Sequence, residues 1–400
     1  MFFNRRIPLF IRESYCYDSN TAVLWGIFWG LSLAFFPVTA RKIGATSSQM
    51  AFLSAAPFLG ALFTLYWSRL SNRMNKMRFF ILIKILARAV LFLMFFAINP
   101  WVFIVVVFLN AFFEQAGSPA YTGIMKEIYP DSLRGRAMGY VRGEQAISAI
   151  LACYIGGVLL DRVSYRYIFP LAAIIGLLSL SYFAKIKVKT EVNKVKRAER
   201  KRVIVPYEMA EIFRGDRRFF YYSLIFFTSG FSNLLAMPLY PIFLVDILHA
   251  SNTLVGKLSS ISSFFWIISY LFWGRYVDKK GPIQALSVSF LLTSFVPLLY
   301  AVASNLWFIV LASIITGFNV GSVELARIDY ITRISKSENV QTYWGVDYTL
   351  MGIRGITAPF IGVGLMSILG IREALLISFL MKLASFILMR WFCLRYGKDI

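Results

Sequence analysis

The 400-residue sequence contains one histidine, His249, and three widely separated cysteines, Cys16, Cys153 and Cys393. Because the cysteines have no CxxC spacing, they predict neither a disulfide framework nor a zinc ribbon. With a single histidine, the chain has few residues from which to build a Ser-His-Asp, Cys-His or metal centre. The sequence also contains no GxxxxGKS/T phosphate-binding loop. We therefore predict that the protein is not an enzyme and holds neither a metal ion nor a cofactor.

Charged residues are also scarce, at 16% of the chain against about 25% in soluble proteins, whereas hydrophobic residues reach 58%. A water-soluble globule of this size has no means of hiding so much apolar surface. The formal charge of +22 first suggests nucleic acid, but the basic residues form short clusters between long apolar runs. This pattern is typical of membrane proteins. We expect the lipid bilayer as the surroundings and no nucleic-acid partner.

Twelve apolar stretches are long enough to cross a bilayer, since a spanning helix needs about 20 residues. The sequence predicts an all-α membrane protein with two pseudo-symmetric six-helix bundles, over residues 21–184 and 219–392. Residues 1–20 and 393–400 are predicted terminal segments, and the basic stretch 185–218 is a predicted linker, with a surface helix over 207–213 as the alternative. The twelve stretches are 21–40, 49–67, 79–98, 101–125, 138–160, 167–184, 219–245, 255–273, 283–303, 306–326, 343–368 and 372–391.

Lys and Arg are divided unequally between the loops. With the amino terminus inside, the inner segments hold 31 of them and the outer loops hold 5. Because basic residues collect in cytoplasmic loops, both termini and the linker are predicted to be cytoplasmic, in a plasma (inner) membrane.

The two halves share a pattern of residues. Shifting the chain by 206 positions superposes Trp67 on Trp273 and Trp101 on Trp307, both at equivalent helix ends. Nine tryptophans would give about 0.1 such matches by chance. A parallel repeat of six helices is the simplest explanation, and it is a known plan among transporters.

Two loops carry a family resemblance. The segment GRYVDKKG, from Gly274 to Gly281, resembles the loop motif between helices 8 and 9 of the major facilitator superfamily. The segment PDSLRGRAMG, which begins at Pro130, is similar to that family's loop between helices 4 and 5. The resemblance covers nearly the whole chain. It implies a transporter that moves a small solute by alternating access between its two halves.

The resemblance also implies a cytoplasmic gate. Gly274 would let two helices touch, Gly281 would make the turn, and Asp278 would pair with Arg134 or Arg136. The alternative is a tight basic turn without a gating role.

Ionisable residues at membrane depth are the candidate site residues, because burying them in a bilayer is costly. Arg88 and Glu114 fall about 15 and 18 Å above the inner ends of the third and fourth predicted helices, so an ion pair is feasible. The pair is either structural or a site in which Glu114 couples transport to protons. Lys84 is predicted to reach the inner interface.

Arg354 also falls near mid-depth, and no acid was identified at similar depth in the second half. A buried guanidinium favours a carboxylate or phosphate partner, so Arg354 is a candidate for binding an acidic substrate. Trp25, Trp29 and Phe36 of the first predicted helix are candidates for lining the pocket, with helix packing as the alternative.

These observations predict a secondary active transporter of a small organic solute, with an anionic or zwitterionic solute favoured and protons as a candidate coupling ion. We expect it to act as a monomer. Two alternatives remain: an exporter of drugs or other amphiphiles with the same fold, which the aromatic-rich helices suggest, and a membrane sensor that does not transport.

Overall fold

A computed structural model describes residues 8–188, 206–335 and 340–396 of the chain. Every regular element within these three ranges is helical, so the all-α prediction is confirmed. Part of the predicted linker, residues 189–205, lies outside the described residues.

The chain divides into two compact units. The first contains residues 8–188 and 244–264 of the described chain, and the second contains residues 206–243, 265–335 and 340–396.

Twelve long helical segments follow one another in the described part of the chain. Eleven of them, within the described ranges, are long and apolar enough to span a membrane. The remaining one, α2, is broken into two shorter pieces at Phe63. The segments are α1 (Leu9–Lys42), α2 (Ser47–Leu62 and Thr64–Arg73), α3 (Lys76–Phe96), α4 (Pro100–Ile128), α5 (Asp131–Arg162), α6 (Tyr165–Phe183), α7 (Arg217–Ile247), α8 (Asn252–Lys280), α9 (Pro282–Ala301), α10 (Leu306–Ile334), α11 (Val340–Leu369) and α12 (Ile371–Tyr396).

Helix α1 begins at Leu9, well before the predicted start at residue 21. Its first part ends at Leu31, a short 3₁₀ turn follows, and the helix resumes at Phe36 with Pro37 in its first turn. Pro37 lacks the N–H needed to continue the earlier ladder, which accounts for the break. The early start places Asp18 on a regular helix.

The first unit is held together by close helix contacts. A Cβ on Gly30 of α1 would lie 2.7 Å from the Ala152 Cβ and 2.8 Å from the Cys153 backbone nitrogen of α5. Because real Cβ atoms do not approach so closely, the absence of a side chain at Gly30 permits this crossing.

The amino terminus of α8 also belongs to the first unit. The Asp161 carboxylate of α5 accepts hydrogen bonds from the backbone N–H groups of Asn252 and Thr253, at 2.7 and 2.8 Å. A carboxylate at this position satisfies N–H groups that no helical carbonyl reaches. An ion pair between Arg41 and Asp246 lies at the same end of the unit.

The second unit has an aromatic-rich core formed by the part of α8 in this unit together with α7, α9, α10, α11 and α12. Tyr222 of α7 packs against Tyr330 of α10, with ring centroids 4.1 Å apart. Before α7, a short helix runs from Pro206 to Gly215 and includes residues 207–213, for which the sequence offered a surface helix as the alternative. Asp216 then caps α7 by accepting the Phe219 N–H at 3.0 Å.

Candidate functional site

A cavity of about 460 Å³ lies within the first unit, among α1, α3, α4, α5 and α6. Its size is in the range of ligand-binding clefts, about 300–1,000 Å³. The lining combines charged, polar and aromatic side chains. It consists of Asp18, Thr21, Ala22, Trp25, Trp29, Leu33, Phe80, Lys84, Arg88, Glu114, Gln115, Ser118, Tyr121, Val141, Arg142, Gln145, Ser179, Leu180 and Phe183.

Three of the charged residues in the cavity form one cluster. The Glu114 carboxylate of α4 pairs with Lys84 through Oε2 and with Arg88 through Oε1. The Lys84 ammonium also donates to the Glu114 backbone oxygen at 3.0 Å. The structure therefore brings Arg88 and Glu114 together, as their similar depths predicted. It also places Lys84 in the same cluster, which the sequence did not predict.

Two glycines make room for the cations. A Cβ on Gly117 would lie 2.8 Å from Lys84 Cε, and one on Gly176 would lie 3.0 Å from Arg88 Cγ. The Arg88 guanidinium also lies over the Phe28 ring, 5.0 Å from its centroid. Such a cation–π contact partly offsets the loss of water around a buried cation.

Asp18 is the second carboxyl group in the lining. It is 2% exposed and accepts a hydrogen bond of 2.8 Å from the Tyr129 hydroxyl. Burial, and to a smaller extent the charge of Asp18, raises the pKa of Tyr129 above its usual range, so this phenol stays protonated and able to donate. Asp18 forms no ion pair with any residue in the described ranges.

Two charged residues of α5 face Asp18. Arg142 acts on it electrostatically and donates to Gln145 Oε1 at 2.9 Å. Glu144, 1% exposed, also acts on Asp18 and accepts hydrogen bonds from the Ser19 and Tyr15 hydroxyls. The structure thus places the buried Asp18 carboxyl group near one guanidinium and one further carboxyl group of α5.

The aromatic candidates of α1 separate into two environments. Trp25 and Trp29 line the cavity. Phe36 is buried in a cluster with Phe103 and Phe169, at ring distances of 6.2 and 5.1 Å, and does not belong to the lining. A group of Phe80, Tyr121 and Phe183 also reaches the cavity.

Arg354 is buried in the second unit and is not part of this cavity. Its Nη1 donates to the Phe226 backbone oxygen at 2.6 Å, and the guanidinium lies 5.0 Å from the Phe226 ring centroid. It packs directly on Gly230, where an added Cβ would overlap it. Asp347, an acid of α11, interacts electrostatically with Arg354 and forms an ion pair with Arg327, whereas the sequence predicted no acid near Arg354.

The expected helix contact at Gly274 is not observed. A Cβ there would meet only a Leu325 side-chain atom at 4.0 Å, which is an ordinary contact. The close approach of α8 and α10 occurs instead at Gly321, where a Cβ would lie 2.6 Å from Ser269 Oγ and 3.0 Å from the Tyr270 nitrogen.

The other predicted gate residues occupy helix ends. Gly281 joins α8 to α9 with φ of 82°, so the predicted turn is present and its conformation favours glycine. Asp278 is exposed on the last turn of α8 in the second unit. In the first unit, Arg134 donates to the Tyr129 backbone oxygen at 3.1 Å, and Arg136 is exposed. Pairing of Asp278 with either arginine remains a prediction.

Comparison with solved structures shows the class of fold. One form of the nucleoside transporter NupG matches with a TM-score of 0.78 at 12% identity, over 94% of this chain and 99% of that chain. A second NupG structure matches with a TM-score of 0.73 at 13% identity, over 96% and 98%. A bacterial homologue of the human lysosomal transporter Spinster matches with a TM-score of 0.69 at 13% identity, over 98% of this chain and 99% of that chain. At these identities the likeness shows the fold alone, which this chain shares with these transporters.

The sequence itself matches the profile of the Major Facilitator Superfamily over residues 20–235 and 222–399. The chain therefore belongs to the Major Facilitator Superfamily. No curated protein sequence gives a match.

Proposed function

We propose that the protein is a secondary active transporter that moves a small organic solute with an acidic group across the membrane by alternating access. The observation that carries this proposal is the pair of cations Lys84 and Arg88, 12% and 1% exposed, in a ligand-sized cavity of the first unit. Charged groups at membrane depth are retained where they bind substrates or ions. A zwitterionic solute fits the same cavity, because Asp18 offers a carboxyl group for its cationic end.

The aromatic lining supports an organic solute over an inorganic ion. Trp25 and Trp29 present broad apolar faces, while Gln115 and Gln145 supply amide donors and acceptors. Ligand pockets combine such an apolar lining with a few polar groups that fix the orientation of the bound molecule. Arg354, a buried guanidinium in the second unit, is a separate candidate for binding an acidic group.

We assign proton coupling to Asp18 in place of the predicted Glu114. Glu114 is held by two cations, and each of them favours its ionised form. Asp18 has no ion pair within the described chain, lines the cavity and is almost fully buried. Protonation of Asp18 would make the cavity more positive, so that a proton and an anionic solute would favour each other's binding.

We further propose that both termini face the cytoplasm of a plasma membrane and that one chain is the transporting unit. The division of basic residues between the loops supports this orientation.

Asp278, with Arg134 or Arg136, is the proposed inner gate. Replacing Asp278 by Asn should increase maleimide labelling of single cysteines introduced in the cavity lining, applied from the inner face, because a charge pair that holds the inner side closed would be lost. Asp329→Asn, at an exposed i,i+4 pair with Arg333, is the matched control. Equal labelling of the Asp278 variant and wild type would refute the gate.

Counterflow in proteoliposomes tests the function. Purified protein is given labelled organic acids, amino acids, neutral sugars, nucleosides and lipophilic cations, with and without a pH gradient. We expect saturable counterflow of at least one acid or amino acid, and its accumulation when the gradient is imposed. Flux confined to lipophilic cations would favour the exporter, which the aromatic lining makes the second candidate. Specific binding without any flux would favour the sensor.

A further inference from the structure

We propose that Lys84 and Arg88 form a subsite for the carboxylate of a monoanionic organic acid, and that Glu114 is a fixed counter-ion that sets the charge of this subsite to +1. The inference rests on the proposed function and names its substrate class. It specifies the chemical group at one end of the solute. The cavity size and the fold do not determine that group.

The charges of the cluster do not balance. Lys84 and Arg88 carry two positive charges, and their side chains are 12% and 1% exposed; Glu114, at 17%, supplies one negative charge. The other carboxyl group in the lining, Asp18, is bonded to Tyr129 and faces Arg142. The cluster of Lys84, Arg88 and Glu114 is therefore left with one positive charge among largely buried side chains, where an unbalanced charge is costly.

The cluster also has unused hydrogen-bond donors. Arg88 Nε is buried and has no hydrogen-bond partner in the described chain. Its Nη1 is occupied by Glu114 and, at 3.5 Å, by the Lys84 backbone oxygen. The Lys84 ammonium has three N–H groups, of which Glu114 takes two through its carboxylate and its backbone oxygen. Both cations belong to the cavity lining, so a bound solute lies beside them. The Lys84 ammonium can donate to it directly, whereas Arg88 Nε is closed to solvent and can donate to it only after the side chain shifts.

A carboxylate is the anionic group that suits these donors. It is planar and carries a single charge, and a guanidinium edge binds such a group with two parallel hydrogen bonds. Binding one carboxylate brings the net charge of the cluster to zero. A doubly charged phosphate would reverse the imbalance. Trp25 and Trp29 are available to contact an apolar or aromatic body attached to the acid.

Substitutions that change the cluster charge one unit at a time test the subsite. Glu114→Gln raises the charge to +2, wild type is at +1, and Lys84→Gln lowers it to 0. We expect the Kd for an organic acid to fall on the order of tenfold in Glu114→Gln and to rise on the order of tenfold in Lys84→Gln, since each step changes one short-range charge interaction. The Kd of the corresponding neutral amide should not change in this way from one protein to the next.

The chain supplies matched controls on the same two helices. Lys76 of α3 pairs with Glu127 of α4, as Lys84 pairs with Glu114, but Lys76 and Glu127 are 40% and 31% exposed and lie outside the cavity. Lys76→Gln and Glu127→Gln should leave the Kd of every acid unchanged. A change equal to that of the cavity variants would show a general effect of protein charge and would overturn the proposal.

Binding is measured on the full chain in phosphatidylcholine nanodiscs, which contain no net anionic headgroup to occupy the site. The probes are benzoate, phenylacetate and indole-3-acetate, each compared with its primary amide by equilibrium binding of the radiolabelled compound. The expected result is binding of at least one acid, weaker binding of its amide, and the affinity order Glu114→Gln, wild type, Lys84→Gln.

Three results would overturn the subsite: no acid bound by wild type or by Glu114→Gln at millimolar concentration, amides bound as tightly as acids, or an acid whose affinity does not follow the charge series. None of these decides the proposed function. If the proteoliposomes still transport a neutral or cationic solute, the protein is a transporter and only the carboxylate subsite is refuted. If they transport nothing, the transporter itself is refuted.

Discussion

Asp18→Asn should abolish accumulation of the solute driven by a pH gradient and leave counterflow exchange intact. Asn resembles the protonated carboxyl group in shape and charge, so the cavity stays in the form that binds an anion but releases no proton. In wild type, affinity for an acidic solute should increase as the pH falls, because protonation removes a negative charge from the cavity. The variant should bind with the low-pH affinity at every pH. Proteoliposome accumulation and the pH dependence of Kd check both expectations.

Asp329→Asn serves as the control, since Asp329 forms an exposed i,i+4 pair with Arg333 and lies outside the cavity. Tyr129→Phe gives an independent check. It removes the hydroxyl that donates to the Asp18 carboxylate, and the midpoint of the pH dependence should move to higher pH. An Asp18→Asn protein that still accumulates solute with the wild-type pH dependence would show that the coupling proton binds elsewhere.

Glu114→Gln should lower the stability of the protein strongly while strengthening the binding of acids. Removing this carboxylate leaves Lys84 and Arg88 buried together without a counter-ion. Breaking a buried ion pair by removing one partner costs about 3–5 kcal/mol. Glu127→Gln, at the exposed Lys76 pair, should cost about 0–1 kcal/mol. Thermal unfolding in detergent, followed by tryptophan fluorescence, compares the two variants with wild type.

The double variant Lys84→Gln with Glu114→Gln should recover much of the stability, because it removes one of the two uncompensated cations. An organic acid should also stabilise Glu114→Gln more than wild type, since it replaces the missing charge. If Glu114→Gln and Glu127→Gln unfold at the same temperature, the cluster is solvated and its positive charge needs no ligand.

The long helices were predictable from sequence because a bilayer imposes a minimum apolar length. The same requirement explains where the prediction fell short. Residues 9–20 of α1 contain Arg12, Glu13 and Asp18. Because of this polarity the apolar pattern does not predict a helix there, although α1 begins at Leu9. Asp18 was therefore assigned to a terminal segment and missed as a site residue. Its position nine residues into α1 became evident only from the backbone.

The contact between Arg88 and Glu114 was predictable because depth along a helix follows from residue number. The third member, Lys84, lies one turn before Arg88 on α3, and this i,i+4 spacing could have indicated that both reach one partner. The sequence does not show which face of a lipid-embedded helix turns inward when nearly all faces are apolar. For that reason, Trp25 and Phe36 looked equivalent, although one lines the cavity and the other is packed in a cluster.

Glycine contacts illustrate a second limit. The motif indicated a close helix approach at Gly274, yet the structure places it at Gly321, which lies in no recognised motif. Glycines beside Lys84, Arg88 and Arg354 provide space for those side chains, but each partner is distant in sequence. A contact between a glycine and a side chain of another helix depends on where the two helices cross. The periodicity of a single sequence does not specify that crossing.

The central claim is that the cavity of the first unit binds the transported solute, and cysteine protection tests it most directly. Cys16, Cys153 and Cys393 are first removed, and Ser118→Cys is introduced in the cavity lining, with Tyr66→Cys at an exposed position as the control. An organic acid that the vesicles transport should slow maleimide labelling at position 118 in proportion to its occupancy and leave position 66 unaffected. Equal labelling at position 118 with and without a saturating, transported acid would contradict the account.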